Sequence, residues 1–540
     1  MKIKRTGVAA IALAAAGALA LSGCTGGDAG TSGEAGSSAA IITANSIEPQ
    51  NPLVPTNTNE VGGGLIVTNI FAGLVSYDAE GNVQNEMAES IETEDSQTYT
   101  ITLKADQKFT NDEPVTAESF VNAWNYGAAL DNAQLSSYFF EPIEGYSADE
   151  NVEEMSGLTV VDDLTFEVKL SQPESDFPLR LGYTAFSPLP EAAFEDIEAF
   201  GENPIGNGPY MLEGEGAWKH NERIDLVVNP DYEGPREPQN GGLDVILYAT
   251  TDAAYADLQG GNLDVIQEIP DSALETFQEE FGDRSVNQPG AANATITIPA
   301  RLPHFSGEEG KLRRAAISHA IDREEITDVI FAGTRSPMHD FTSPVLAGYS
   351  EDIPGSDVLD FDPDLAKDLW AQADAIAPWT GSFQLAYNAD GPNQGWVDAV
   401  ANQVKNNLGI DAVGTPVPTF AEFRTSITSR AIQTPFRTGW QFDYPSMVNG
   451  LGPIFYTGAG SNDGDYSNPE FDKLIDEGLG ATDVEAGIAK FQQAQEILFE
   501  DLPAIPLWYT NTMGAWGEQV DNVVFGWDTV PLYYQITKSE

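Results

Sequence analysis

Arg437-Thr438-Gly439-Trp440-Gln441-Phe442-Asp443-Tyr444-Pro445 sets one cation, one anion and three aromatic rings within nine residues. Gly439 and Pro445 argue against a long helix through it and favour a strand end running into a loop. A wall of this make-up is mostly apolar with a few fixed polar groups, which is how small-ligand sites are generally built. Arg437 and Asp443 together suit a ligand that carries both signs, such as a peptide with free amino and carboxylate ends. Trp440, Phe442 and Tyr444 would equally serve as core, with the two charges paired elsewhere, so the surroundings have to decide.

Outward from this stretch, the chain mixes strand and helix signals. Strands fit Phe436–Phe442 itself and Ser382–Tyr387; helices fit Pro363–Ala377, Trp396–Leu408, Phe471–Gly478 and Val484–Glu500. Lys311–Phe331 is the strongest helical region; Asp322 and Glu325 have capping-box spacing for a second helix, and Gly333 is its stop. Asp362 caps the helix that opens at Pro363, a better account of Asp360-Phe-Asp362-Pro-Asp364 than a calcium loop, which requires glycine where Leu365 stands. Nearer the N-terminus, Tyr99–Lys104 and Leu164–Leu170 alternate as half-buried strands. Thr116 caps a helix whose Phe120, Ala123, Trp124 and Gly127 share a face. Gly206–Tyr210 is a tight turn before strands at Ile224–Val228 and Leu243–Tyr248. A helix at Ala253–Leu258 and a strand at Leu263–Ile266 follow. Gly242-Leu-Asp-Val-Ile246 and Asn262-Leu-Asp-Val-Ile266 share a pattern once, too little for a repeat architecture. Strands and helices without strict alternation read as α/β with some α+β character.

The 540 residues carry 84 Asp and Glu against 25 Lys and Arg, a net charge of −59. Three of the bases, Lys2, Lys4 and Arg5, precede an uncharged apolar run from Val8 to Leu21, about 14 residues and short of the ~20 of a membrane-spanning helix. A basic start, a short apolar middle and small residues at the end spell a secretory signal over residues 1–23. Without it, 22 bases face 84 acids, a balance of −62. That excludes general nucleic-acid binding, which needs a basic footprint, and predicts a soluble monomer. Residues 25–39 are Gly, Ser, Ala and Thr with two acids and no aromatic, the composition of a flexible tether. Cys24 is the only cysteine, so no intrachain disulfide is possible.

Enzyme chemistry finds no foothold. The mature chain holds no His-Glu-x-x-His, Gly-x-Ser-x-Gly or Ser-x-x-Lys, and Gly307–Lys311 has the wrong spacing for a phosphate loop. His220, His304, His319 and His339 stand at no metal-ligand spacing from one another. No catalytic residue, cofactor or metal is expected.

Several separated segments resemble one family, the extracytoplasmic solute-binding proteins of peptide ABC importers, of the oligopeptide- and dipeptide-binding type. Tyr99–Lys104 through Phe109-Thr-Asn-Asp-Glu-Pro114-Val-Thr-Ala-Glu118 is similar to its signature segment, with Asn111-Asp112 where members more often have Asp-Gly. Gly206-Asn-Gly-Pro-Tyr210 resembles its Gly-Thr-Gly-Pro-Tyr turn. Arg314–Ile317 with Ala320-Ile-Asp-Arg323 resembles its central helix, and Leu502-Pro-Ala-Ile-Pro506-Leu-Trp508-Tyr509 its late strand. Leu21-Ser22-Gly23-Cys24 looks like a lipobox, in which the cysteine carries a diacylglyceryl anchor.

The resemblance implies a two-lobed periplasmic-binding-protein-like α/β fold with an additional domain on the first lobe and a ligand cleft between lobes. By analogy, lobe I takes residues 40–76, 205–300 and 505–540, the additional domain 77–204, and lobe II 301–504, after the tether of 24–39. It also implies that Asp443 takes a peptide's α-amino group and that Arg437 meets its carboxylate. The backbone of Gly439, Trp440 and Gln441 pairs with the peptide as an added strand, with Tyr444 beside it. A second pairing strand is expected around Glu60 and Val61, and Trp508 or Tyr509 is expected to close a side-chain pocket. The implied setting is the outer face of the cytoplasmic membrane, anchored through Cys24, with permease subunits as partners. Within the same fold, oligosaccharide or other solutes, or a sensing or chaperone role, are the alternatives.

Overall fold

The computed structural model describes residues 40–539; the signal of residues 1–23, Cys24 and the tether lie outside the described residues. A central strand, β1 (Ile42–Ser46), is followed by helix α1 (Val61–Ile70). A separate four-stranded antiparallel sheet comes next, built from β2 (Ala88–Thr93), β3 (Thr98–Leu103), β4 (Leu158–Asp162) and β5 (Thr165–Lys169) in the order β2-β3-β5-β4. Helix α2 (Ala117–Ala128) covers it, with a Thr116–Ser119 capping box at its start. Phe120, Ala123, Trp124 and Gly127 are its buried face, as the periodicity predicts. Phe120 stacks on Phe166 at 5.9 Å and Trp124 meets the same ring edge-on at 5.6 Å. A Cβ on Gly127 would lie 2.6 Å from Thr56 and 2.7 Å from Phe140, so only glycine lets this helix seat so closely. The one-turn helix α3 (Phe177–Arg180) follows.

Strands β6 (Tyr210–Leu212), β7 (Arg223–Val228), β8 (Gly242–Leu247) and, after helix α4 (Thr251–Gln259), β9 (Val265–Ile266) complete one wing of a twelve-stranded sheet around β1. Ala44 pairs in parallel with both Val245 and Val265, so the two Leu-Asp-Val-Ile copies flank one central strand as equivalent neighbours. Leu243, Val245, Leu263 and Val265 are fully buried and supply one core-facing side of each copy. The Gly206-Asn-Gly turn grips the end of α1. Asn207 exchanges hydrogen bonds with Ala72 at 2.9 and 3.0 Å, and a Cβ on Gly206 would strike the Ile70 carbonyl at 1.9 Å.

Two thirteen-residue strands, β10 (Ser285–Thr297) and a late one running Ala504–Trp516, cross to the other wing. Between them in sequence lie α5 (Gly307–His319), α6 (Arg323–Val329), α7 (Pro363–Ile376), β11 (Phe383–Asn388), α8 (Gln394–Leu408) and β12 (Ala412–Val417). Then come α9 (Phe420–Thr428), β13 (Phe436–Gln441), α10 (Met447–Phe455), α11 (Pro469–Leu479) and α12 (Val484–Asp501). Taking Ala504–Trp516 as β14, the order is β12-β11-β13-β10-β14-β9-β1-β8-β7-β6, with Arg335–Pro337 beside β14 and Trp218–Lys219 beside β7. The β10–β14 register breaks between Pro289 and Asn293, midway along the crossing.

The cores follow the wings. One joins residues of 42–265 with the C-terminal 520–536 and includes the separate four-stranded sheet, so that sheet and the β1 wing form one lobe. Two more, on residues between Ile296 and Trp508, fill the other lobe. A small cluster of Ala291, Leu346, Phe442 and Trp527 sits at the crossing and touches both.

Candidate functional site

β13 lies between β10 and β11, yet β11 pairs with it only at Phe436, through Ala386. Beyond Arg437 its far side is an unpaired strand edge among the described residues. On its near side the register runs from Thr297 opposite Phe436 to Ala292 opposite Gln441, and the Phe442 N–H donates to the Ala291 carbonyl at 2.9 Å. Antiparallel alternation then turns the N–H and C=O of Gly439 and Gln441 away from β10, towards the free edge. Both residues are exposed. Gly439 is required by close approach, since a Cβ there would lie 2.6 Å from the Asn293 carbonyl oxygen.

Asp443 ends this edge. Its N–H donates to Asn449 Oδ1 at 2.9 Å, an oxygen that also accepts from Trp440 Nε1 at 3.3 Å, while Asn449 Nδ2 reaches Asp443 Oδ2 at 3.4 Å. Asn449, buried in α10, thus fixes both the loop and the carboxylate. Burial pushes the Asp443 carboxyl above its ordinary value, against the hydrogen bond from Asn449 and the charge of Arg180, which pull it down. The Asp443 charge also reaches Tyr138 and Tyr183 of the opposite lobe, whose phenols burial pushes up.

Arg437 begins the edge. Its Nε donates to Asn388 Oδ1 at 2.9 Å, and its Nη2 donates to the same atom. The guanidinium lies 5.5 Å from the ring centres of Phe420 and Phe423. Burial and neighbouring Arg424 push its pKa down. Arg424 is neutralised by Asp463 at 2.6 Å, whereas no carboxylate among the described residues lies within 4.0 Å of Arg437. Beside it opens a cavity of about 260 Å³ floored by Thr295, Thr297 and Thr438 and walled by Trp440, Phe423 and Asp463.

Other expected site residues sit elsewhere. Tyr444 is buried and accepts a hydrogen bond from Arg180 Nη2 at 3.1 Å, which makes it a contact between lobes. Trp508 is core, packed against Phe331 and Trp396 at 5.1 and 5.3 Å. Tyr509 is also core, donating to the Asp340 carbonyl at 3.0 Å, so neither closes a pocket. No pairing strand forms at Glu60 and Val61. The Glu60 carboxylate caps α1 by accepting from the Gly63 N–H, and Val61 is the first helical residue. Val61 does stay 63% exposed and lies with Ile47 and Tyr248 at the carboxyl ends of β1 and β8, the end where α/β sheets bind ligands. Asn388, Asn449 and Arg180 carry no signal in the sequence, because their roles come from partners 49, 6 and 264 residues away.

Two lobes joined by crossing strands, with a free strand edge bracketed by a carboxylate and a guanidinium, define a cleft-type ligand-binding protein. A family model described as bacterial extracellular solute-binding proteins, family 5 middle, matches residues 82–462, and the chain belongs to that family. It is 25% identical over 482 residues to the oligopeptide-binding protein OppA of Bacillus subtilis, covering 85% of this chain and 86% of that one. To the periplasmic oligopeptide-binding protein OppA of Escherichia coli it is 26% identical over 468 residues, 82% of each. Among solved structures, the unliganded open form of the murein tripeptide-binding protein MppA matches with a TM-score of 0.81 at 21% identity, covering 93% of this chain and 99% of that one. Haemophilus influenzae OppA in complex with RPPGFSPFR matches with a TM-score of 0.69 at 23% identity, again over 93% and 99%. Among the described residues no helix is long and apolar enough to cross a membrane.

Proposed function

We propose that the chain is the lipid-anchored binding component of an ABC importer and captures oligopeptides by cleft closure. The peptide main chain lies along the free edge of β13, its ammonium at Asp443 and its carboxylate towards Arg437. The carrying observation is that edge: Gly439 and Gln441 present backbone donors and acceptors to the cleft between two charges of opposite sign. Strand addition holds a main chain while leaving side chains free, which suits a carrier of varied peptides. Relatives named as oligopeptide- and dipeptide-binding proteins agree with this ligand class.

Closure brings Tyr138 and Tyr183 towards the ammonium and Val61 towards the bound chain, and the ligand makes the closed state the more populated one. The closed protein then docks on its permease, which it reaches from a diacylglyceryl anchor on Cys24. An oligosaccharide is disfavoured because sugar sites rely on stacked aromatics and neutral polar groups, whereas Arg437 and Asp443 offer a matched cation and anion.

Native mass spectrometry of freshly purified protein tests the ligand class: a co-purifying mass ladder of peptides is expected, and a bound hexose series would overturn it. Cys24→Ala tests the anchor, with loss of membrane retention or of signal cleavage as the expected result.

A further inference from the structure

The segment from Glu174 to Arg180 reaches from the first lobe onto the second. The Ser175 N–H donates to the Leu479 carbonyl at 2.7 Å and its Oγ to Gly478 at 3.1 Å, while Ser96 Oγ donates to Ala481 at 2.8 Å. Ser446 Oγ, at the start of α10, donates to Asp176 Oδ2 at 2.7 Å. Arg180 Nη2 donates to Glu174 Oε2 at 3.0 Å and to Tyr444 Oη at 3.1 Å, and its guanidinium lies over the Tyr444 ring at 5.0 Å. Tyr444 is covalently next to Asp443. Both ends of the Asp443–Ser446 loop are therefore gripped from the opposite lobe.

We propose that Arg180 is a positioning residue for the ligand's amino end: tethered by Glu174 and bonded to Tyr444, it pins the Asp443–Ser446 loop across the seam, tying ammonium capture to the lobe arrangement. This rests on the reading of Asp443 as the ammonium acceptor. The charge balance carries it further. Glu174 pairs with this guanidinium directly, Asp176 accepts from Ser446 on the approach to α3, and the more distant charges of Glu141 and Asp443 act on or feel the same cation. The phenols that face this cluster, Tyr77, Tyr99, Tyr138, Tyr183 and Tyr444, are all pushed up by burial and stay neutral. Glu174 and Asp176 are buried beside this one cation, and burial raises both carboxyls. Removing Arg180 leaves Asp443 with Asn449 alone against desolvation, so its proton is held to higher pH.

The test compares wild type, Arg180→Met and Arg180→Lys, with Asp443→Asn for assignment. Binding of trialanine is followed by calorimetry from pH 4 to 8, and Asp443 is titrated in ligand-free protein by NMR of ¹³C-carboxyl-labelled aspartate. In Arg180→Met, the acid limb of binding and the Asp443 midpoint are both expected to move up by roughly one pH unit. Arg180→Lys is expected to hold both near wild type. A purely structural Arg180 would lower affinity equally at every pH, and unmoved midpoints in Arg180→Met would overturn the proposal. The aspartate titration needs no ligand, so it decides the Arg180–Asp443 coupling even where trialanine fails to bind wild type and the peptide reading falls.

Discussion

The guanidinium of Arg437 donates its side-chain hydrogen bonds to the amide oxygen of Asn388 and not to a carboxylate. Asn388 in turn donates to Asp390 Oδ1 at 2.6 Å, so the nearest anion is held one residue away from the cation it would otherwise neutralise. The arrangement orients Arg437 while leaving its charge uncompensated beside the cavity.

A ligand carboxylate is therefore expected to gain more than a neutral end at this position. Arg437→Met should weaken peptides with a free C-terminus by ten- to a hundredfold, a loss of about 1.4–2.8 kcal/mol that suits a half-buried charge and falls towards the low end for a broken charge pair. The same peptides as C-terminal amides should bind wild type and variant alike. Calorimetry of the four combinations reads the coupling directly; an equal loss for acid and amide would remove Arg437 from the carboxylate role.

At the other end, Asp443→Asn keeps the shape and the reach to Asn449 but removes the charge. Free-amino peptides should bind at least tenfold more weakly, a loss of about 1.4 kcal/mol or more. N-acetylated peptides should bind the variant no worse than wild type. Unchanged affinity of the free-amino form would end the assignment.

Glu174 and Asp176 make the seam between lobes sensitive to pH. Burial pushes Glu174 up to about 7, with the charges of Asp176 and Glu141 adding and Arg180 opposing. A carboxyl whose folded pKa exceeds its unfolded value favours the folded state at low pH, and that contribution fades as pH rises through the folded pKa. Thermal stability is thus expected to fall between roughly pH 4.5 and 7, by on the order of 1–3 kcal/mol from this group. Glu174→Gln, neutral throughout, should flatten that slope; a slope identical to wild type in differential scanning calorimetry would place the pH dependence elsewhere.

Much of this architecture is legible from local pattern. The capping of the helix after Asp322 appears as an accepted hydrogen bond from the Glu325 N–H at 2.9 Å, and Asp362 caps the helix at Pro363 in the same way. The separated segments that resemble the family turn out to touch. Arg323 Nε donates to the Pro506 carbonyl at 2.8 Å, linking the central helices to the late strand, and Arg314 Nε donates at 2.8 Å to the carbonyl of Asp501, the residue that ends α12 just before it. What stays hidden is long-range. The crossing strand β10 holds Pro289 and Gly290 in its middle, residues that argue against a strand until its register break is seen. Trp508 and Tyr509 read as pocket aromatics because alternation along β14 is lost where both faces are covered. Val61 reads as an extended ligand contact because nothing local reveals that Glu60 is a helix cap.

The free edge of β13 makes a demand on the ligand that no side-chain contact would make. Gly439 and Gln441 turn their backbone groups outward while Thr438 and Trp440 turn theirs towards β10, so pairing with a bound main chain has a two-residue period. Methylating one ligand amide nitrogen at a time along a binding peptide removes a single donor without changing its ends. Methylation at a position facing Gly439 or Gln441 should cost about 1 kcal/mol or more, from the lost bond and the steric bulk at the edge. Methylation at the intervening positions should cost much less, because those nitrogens face away. Affinities measured across such a scan should alternate strong and weak; a uniform tolerance would show that the peptide is held by its two ends alone and that the edge between Arg437 and Asp443 is not a pairing surface.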